Sequence, residues 1–270
     1  MSSHAPSEAA RTAVADLARE HAGLIHALGL RFCASASDAE DLVQEVFLNA
    51  YKGWDGFEGR SDVKTWLYRI AARACMRLQR KRAGEPRHIA SLDASLPFDE
   101  PRVALVPDEG LSALDESSRR ETLERTERAI ASLPEEFRVA LVLKDVVGLS
   151  AKEIATIMEV EEPTVRTRVH RARLKVREAV EKGLPRSDAD TPPTPYPMQT
   201  CLDLLRAKQE ALDKGVELDQ AIICDRCRSV FGTLDLAKDA CEQLVRSSPT
   251  DPALLERLER ALREASGSEG

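Results

Sequence analysis

Arginines three and four residues apart recur twice in this chain, and both runs are suited to gripping phosphate. Arg69, Arg73, Arg77 and Arg80 form one stripe. From Arg60 to Arg87, nine Lys/Arg, Lys64 among them, stand against only Asp62 and Glu85. That is the charge pattern of a helix that follows a nucleic-acid backbone. Trp66 and Tyr68 sit among these charges, where aromatic rings stack on unpaired bases. A solvated basic helix with a core tryptophan is the plainer alternative. The second run, Thr164 to Arg177, holds six Lys/Arg and no acid. Arg166 and Arg168 stand in its first turns, and arginine pairs bidentately with guanine. Thr164, His170, Arg171 and Arg173 would position or support them.

The last third of the chain offers a different chemistry. Cys224-Asp225-Arg226-Cys227 puts two sulfurs on one face of a helix, a spacing that chelates soft cations. Cys201 and Cys241 would complete a tetrahedral four-thiolate site for zinc or another thiophilic ion. A redox dithiol and ordinary buried cysteines are the competing readings. Cys33 and Cys75 read as small core hydrophobes.

The elements that position these groups are all helical in pattern. Residues 8–32 have an apolar side of Val14, Leu17, Leu24, Ile25 and Leu28. In Asp38–Tyr51, Leu42, Val43, Val46, Phe47 and Ala50 build a core face. Asp38, Asp41, Gln44 and Glu45 lie opposite, with Leu48 projecting among the acids as a partner surface would. Val63, Trp66, Ile70, Ala74 and Leu78 give the first basic helix its own apolar stripe. Four prolines between Gly84 and Ser118 mark a flexible linker. Further on, Ser150 and Glu153 have capping-box spacing, and a turn at Glu159–Glu162 leads into a helix with Pro163 in its first turn. Short helix, turn, longer basic helix is a helix-turn-helix pattern. Five prolines between Leu184 and Met198 make a second linker. A helical, cysteine-bearing tail follows, ending in an amphipathic helix at 252–265.

Composition fits several small helical modules: 270 residues, 43% hydrophobic, 4% aromatic. The net charge of −7 looks wrong for nucleic acid, but the acids are segregated. Ser91–Glu127 holds ten Asp/Glu and four Arg, and local patches decide where DNA binds. No apolar run approaches a membrane span and no signal-peptide core is visible, so a cytoplasmic place is expected. Six cysteines there argue against a disulfide framework.

The string DAEDLVQEVFLNAY, then F-x-G, then KTWLYRIAARACMRLQRKR, closely resembles the core-binding and promoter-melting segment of bacterial sigma factors of the extracytoplasmic-function (ECF) group. The resemblance implies an all-α protein without catalytic chemistry. It implies region 2 at 8–84, a linker at 85–118, a region 4 helix-turn-helix at 119–183, a Pro-rich linker at 184–198 and a regulatory domain at 199–265. Asp38, Asp41, Leu42, Gln44, Glu45, Val46, Phe47 and Leu48 would then dock on core RNA polymerase. The helix from Lys64 to Arg82 would read and melt the minus-10 element, and Thr164–Arg177 would bind the minus-35 element. Many relatives have a small residue in the turn where this chain has Glu161-Glu162-Pro163. The tail loosely resembles zinc-binding anti-sigma domains, with Gln220 in the place of a histidine ligand. A separate anti-sigma factor is a further expected partner. Two rivals remain at this point: a helix-turn-helix regulator acting without polymerase, and a thiol oxidoreductase using Cys224 and Cys227, against which stands the lack of an alternating strand pattern.

Overall fold

A computed structural model of the chain describes residues 8–32, 36–59, 62–80, 102–107, 109–219, 223–246 and 251–267. Cys33, Gln220 and most of the first linker lie outside these residues, as do the side chains of Lys64, Leu78 and Arg80. Among the described residues every regular element is a helix, apart from a lone antiparallel bridge between Ala104 and Arg186. By its contacts the chain divides into two compact units: 1–86 with 152–160 and 245–270, and 87–151 with 161–244.

The first unit is built on α1 (Glu8–Phe32), α2 (Ala36–Gly53) and α3 (Val63–Arg80). Helices α1 and α2 bury the stripes their periodicity predicts, but α3 is turned: Leu67, Ala71, Ala74 and Cys75 are buried, while Val63, Trp66 and Ile70 of the predicted stripe are only half-buried, because α1 and α2 cover the neighbouring face. Val14 and Ile25 of α1, Leu42, Val46 and Phe47 of α2, and Leu67 and Ala74 of α3 are closed to solvent. Helices α1 and α2 meet closely at Gly29, where an added Cβ would stand 3.0 Å from Ala39 Cα. Helix α10 (Pro252–Gly267) also belongs to this unit. It packs on α1 and α2 through Leu254, Leu258 and Leu262. Arg257–Glu40 at 3.0 Å and Arg19–Glu259 at 3.3 Å flank that contact. Helix α6 (Ala151–Met158), with Ile154 and Ile157 buried, is grouped with this unit too.

The second unit contains α4 (Glu116–Ser132), α5 (Glu135–Leu141), α7 (Glu162–Glu181), α8 (Met198–Lys214) and α9 (Asp225–Arg246). Asp115 caps α4, accepting from Ser118 N–H at 2.9 Å. Helix α5 widens into a π turn at Val142–Val146. Val147 N–H closes this turn on Val142 C=O at 3.0 Å, and Gly148, at φ 81°, lets the chain leave it. The tail is therefore not a body of its own. Helices α8 and α9 share an apolar core with Leu174 of α7: Cys201, Leu205, Ile223, Cys227, Val230, Phe231 and Leu234. The end of the first linker is also held in this unit. Leu105 N–H donates to Pro185 C=O at 2.8 Å, Ser187 N–H to Val103 C=O at 3.0 Å, and the Ser229 hydroxyl to Ala104 C=O at 2.8 Å.

Gly29→Val drives a branched side chain into Ala39 and Leu42. It is expected to cost about 1–3 kcal/mol by overpacking, read as a lower urea midpoint for the first unit.

Candidate nucleic-acid interface

Helix α7 carries the second arginine run, and its surroundings sort the arginines. Thr164, Arg166, Thr167 and Arg171 are exposed. Thr164, Thr167 and Arg171 fall three and four apart, so they share one face. Arg166 pairs with Glu162 at 2.5 Å, one turn earlier. Arg168 is mostly covered and pairs with Glu136 at 2.5 Å. Glu159, not the Glu161-Glu162 pair, takes the left-handed backbone conformation of the turn, at φ 56°. Thr167, one turn beyond the predicted Thr164, was not among the predicted residues.

Arg173 needs correction. It is 3% exposed and faces protein, not solvent. Its Nε donates to Asp145 Oδ2 at 2.8 Å and its Nη2 to Asp145 Oδ1 at 2.6 Å. Its Nη1 stands 2.8 Å from Asp213 Oδ1 of α8. Burial opposes the guanidinium charge, but the Asp145 hydrogen bond and the charges of Asp145 and Asp213 outweigh it, so Arg173 is held protonated more firmly than usual. The π turn presents Asp145 to this pair. His170 is half-buried, with Nε2 3.2 Å from Asp213 Oδ2. Gln209 Nε2 donates to His170 C=O at 3.2 Å, and Lys144 Nζ donates to Asp213 C=O at 3.1 Å. Asp145, Gln209 and Asp213 were invisible in the sequence, because isolated polar residues in helices carry no pattern.

The other basic helix, α3, exposes Arg73 and Arg77 and leaves Arg69 half-buried. Arg77 ion-pairs with Glu45 of α2. Trp66 lies against Phe57 and Trp54, with ring centroids 5.0 and 6.0 Å away, a cluster of which only Trp66 was predicted. Tyr68 is buried, its ring edge against His21 at 6.0 Å. Burial, then the charge of Glu20, pushes its phenol up to about 12. Tyr68 is thus a core residue here, with no face left for a base. On α2, Asp41 and Gln44 are exposed, and Asp38, Glu45 and Leu48 are half-buried. Leu42, Val46 and Phe47 are fully buried. As interior residues these three are removed from the predicted polymerase-contacting set, because packing against α1 and α3 leaves them no surface.

The cysteines also sort by position. Cys201 and Cys227 are buried, and Cys224 half-buried, in the core shared with Leu174. The Cys227 thiol is within hydrogen-bonding reach of Cys224 and Cys201, and burial, then these neighbours, pushes it up to about 12. The Thr194 hydroxyl lies 3.3 Å from Cys201 Sγ. Cys241 cannot join this cluster. Helix α9 is unbroken from Asp225 to Arg246, so a separation of fourteen residues sets Cys241 about 21 Å along the axis from Cys227. Cys241 is therefore removed from the predicted four-thiolate set. Among the described residues, no group of three or more His, Cys, Asp or Glu side chains is arranged to hold a metal ion.

Comparison with known proteins meets this geometry at both basic helices. Sigma-70 region 2 matches residues 17–85, and Sigma-70, region 4 matches residues 123–176. The chain is 37% identical over 162 residues to the RNA polymerase sigma-H factor of Pseudomonas aeruginosa, covering 58% of this chain and 79% of that one. It is 37% identical over 145 residues to the ECF RNA polymerase sigma-E factor of Escherichia coli, covering 51% and 71%. Among solved structures, the sigma factor RpoE in complex with the anti-sigma factor NepR from Bartonella quintana is similar, at 26% identity and a TM-score of 0.42, over 61% of this chain and 96% of that chain. Two helical units, each carrying a basic helix, together with these matches define a DNA-binding transcription protein. The chain belongs to the sigma-70 family, in its ECF group. As such it binds core RNA polymerase and promoter DNA and initiates transcription. A regulator acting apart from polymerase is thereby set aside. Helices α8, α9 and α10 lie outside both matched segments.

Arg173→Met removes the cation between two buried carboxylates. Leaving a buried charge uncompensated costs about 3–5 kcal/mol, so urea unfolding should show a large loss; a loss below ~1 kcal/mol would assign Arg173 to the surface. Asp213 also gives an acid dependence. Burial raises its carboxyl, but the His170 hydrogen bond and the Arg173 and His170 charges hold it below the ordinary value. A carboxyl with a lowered folded pKa stabilises the fold above its unfolded pKa and loses that contribution as pH falls through the folded value. Hydrogen exchange of α8 should therefore stay slow into the ordinary carboxylate range and quicken only below it.

Proposed function

We propose that this sigma factor divides its work among three surfaces and carries a thiol-responsive tail. The exposed Asp41 and Gln44, with Asp38, Glu45 and Leu48, dock core polymerase. Arg69, Arg73 and Arg77 of α3 hold the minus-10 strand, with the Trp54–Phe57–Trp66 cluster as a stacking platform. Thr164, Arg166, Thr167 and Arg171 of α7 face the minus-35 duplex, with Arg168 bracing their helix against Glu136. The observation that carries this reading is the sorting of polar groups. Within α2 and α7, the charged and threonine side chains on one face stay open while the opposite faces are buried. Work with polymerase implies a cytoplasmic place.

The tail reading rests on the three-thiol cluster. Cys201, Cys224 and Cys227 would take a thiophilic cation such as zinc, with Cys224 giving access from solvent. Binding requires the sulfurs to turn toward a common centre and to lose their protons, which the raised thiol of Cys227 resists until the ion arrives. When bound, such an ion would cross-link the start of α8, the segment at Cys224 and the first turn of α9.

In vitro transcription with purified core polymerase tests the sigma surfaces. Leu48→Asp is expected to weaken core binding about tenfold, or ~1.4 kcal/mol, with DNA binding intact. Arg171→Ala should reduce duplex affinity and lower the salt slope by about 0.9, with core binding intact. The tail is tested by cobalt titration: a thiolate-to-cobalt charge-transfer band should appear, persist in Cys241→Ser and vanish in Cys227→Ser. Loss of the band in Cys241→Ser, or no band in the wild type, would refute the three-thiol site.

A further inference from the structure

We propose that Lys144, His170 and Arg173 form an oxyanion site on the DNA-reading unit, and that Asp213 of the tail occupies it in place of a DNA backbone phosphate. The inference rests on α7 being the DNA-reading helix. Three cationic or proton-donating groups converge on one residue of α8. Arg173 Nη1 stands 2.8 Å from Asp213 Oδ1, His170 Nε2 stands 3.2 Å from Oδ2, and Lys144 Nζ donates to the Asp213 carbonyl at 3.1 Å.

Asp145 already takes Nε and Nη2 of Arg173. Only the Nη1 edge is turned toward the tail, and there it meets Asp213 and, at 3.3 Å, both oxygens of Gln209. Lys144 and Arg173 against Asp145 alone leave one net positive charge; Asp213 cancels it. A tetrahedral phosphate offers the same thing as this helix end: several oxygens within reach of a guanidinium, an imidazole and an ammonium. Asp213 is also the penultimate residue of α8, which ends at Lys214, so the carbonyl end of the helix dipole adds negative potential at the same place.

The site lies beside the open face of α7. His170 is one turn beyond Arg166 and next to the exposed Arg171, so a backbone phosphate at this site would continue the row of contacts that those two begin. With Asp213 seated, that contact is closed and the side of α7 is held by protein. Helix α8 begins at the thiol cluster, with Cys201 in its first turn, and ends at this site. A change at the thiols therefore acts on the same rigid element that carries the occupant.

The test uses the full chain and the Asp213→Asn variant, binding the same duplex over a salt series. Opening the site is expected to raise affinity several-fold and to steepen the salt slope by about 0.9, one added phosphate. Adding Lys144→Gln in the Asp213→Asn background should cancel that gain. A second measurement separates the source of the anion. Inorganic phosphate, at matched ionic strength with chloride, should raise the melting temperature of Asp213→Asn and leave the wild type unmoved. Affinity equal to or below wild type with an unchanged slope, and no phosphate-specific stabilisation, would make Asp213 a structural brace and overturn the proposal. Phosphate-specific stabilisation without any gain in DNA affinity would overturn the DNA half and leave a free-anion site. If Asp213→Asn does not fold, Gln209→Ala loosens the same helix end and the same slope change is read. An unchanged duplex affinity in Arg171→Ala would instead refute α7 as the DNA-reading helix, a failure the phosphate melt distinguishes.

Discussion

The second unit depends on a buried charge. Arg173 sits in the interior, and a lone guanidinium there would be prohibitively costly. Asp145 meets it in bidentate geometry from a π turn, and Asp213 meets its remaining edge from α8. Such a network adds little net stability over an apolar equivalent, but while Asp213 is seated its members hold one another in place. The rotation of α7, the widening of α5 and the seat of α8 are thus fixed together. The face α7 shows to solvent follows from where Arg173 is pinned.

The same constraint explains why the tail is divided. Helices α8 and α9 complete a core around Leu174, Cys201 and Cys227, while α10 completes the apolar side of α1 and α2. Neither part encloses a separate interior. A pair of helices has too little apolar surface to offset its conformational entropy alone, so each part borrows a surface from the sigma unit it joins. Cys201, Cys224 and Cys227 consequently lie in or against a core that α7 also lines through Leu174.

Burial also separates support from contact on the first unit. A periodic apolar stripe in an acidic helix looks the same whether it meets a partner or a core. Here Leu42, Val46 and Phe47 are core, and the solvent-facing part of α2 is the polar edge around Asp41 and Gln44 with Leu48 at its margin. On α3 the aromatics divide likewise: Tyr68 is interior, with its phenol raised by burial, while Trp66 remains at the surface within a ring cluster.

The sequence by itself determined the helices, their order and the family. Helical periodicity and charge segregation are local, and the long string from Asp38 to Arg82 is specific enough to mark sigma region 2. It also determined that Thr164, Arg166 and Arg171 ride on a basic helix after a turn. Only the tertiary structure decided which cations face solvent. Arg166 and Arg173 share a helix and a spacing pattern, yet one is exposed and the other is enclosed by Asp145 and Asp213, residues that stand 28 and 40 positions away from Arg173. Cys241 looked equivalent to Cys201 until an unbroken α9 carried it away from Cys227. Periodicity reports which residues share a face of one helix; what covers that face is set by packing between segments distant in sequence, and no local pattern encodes it.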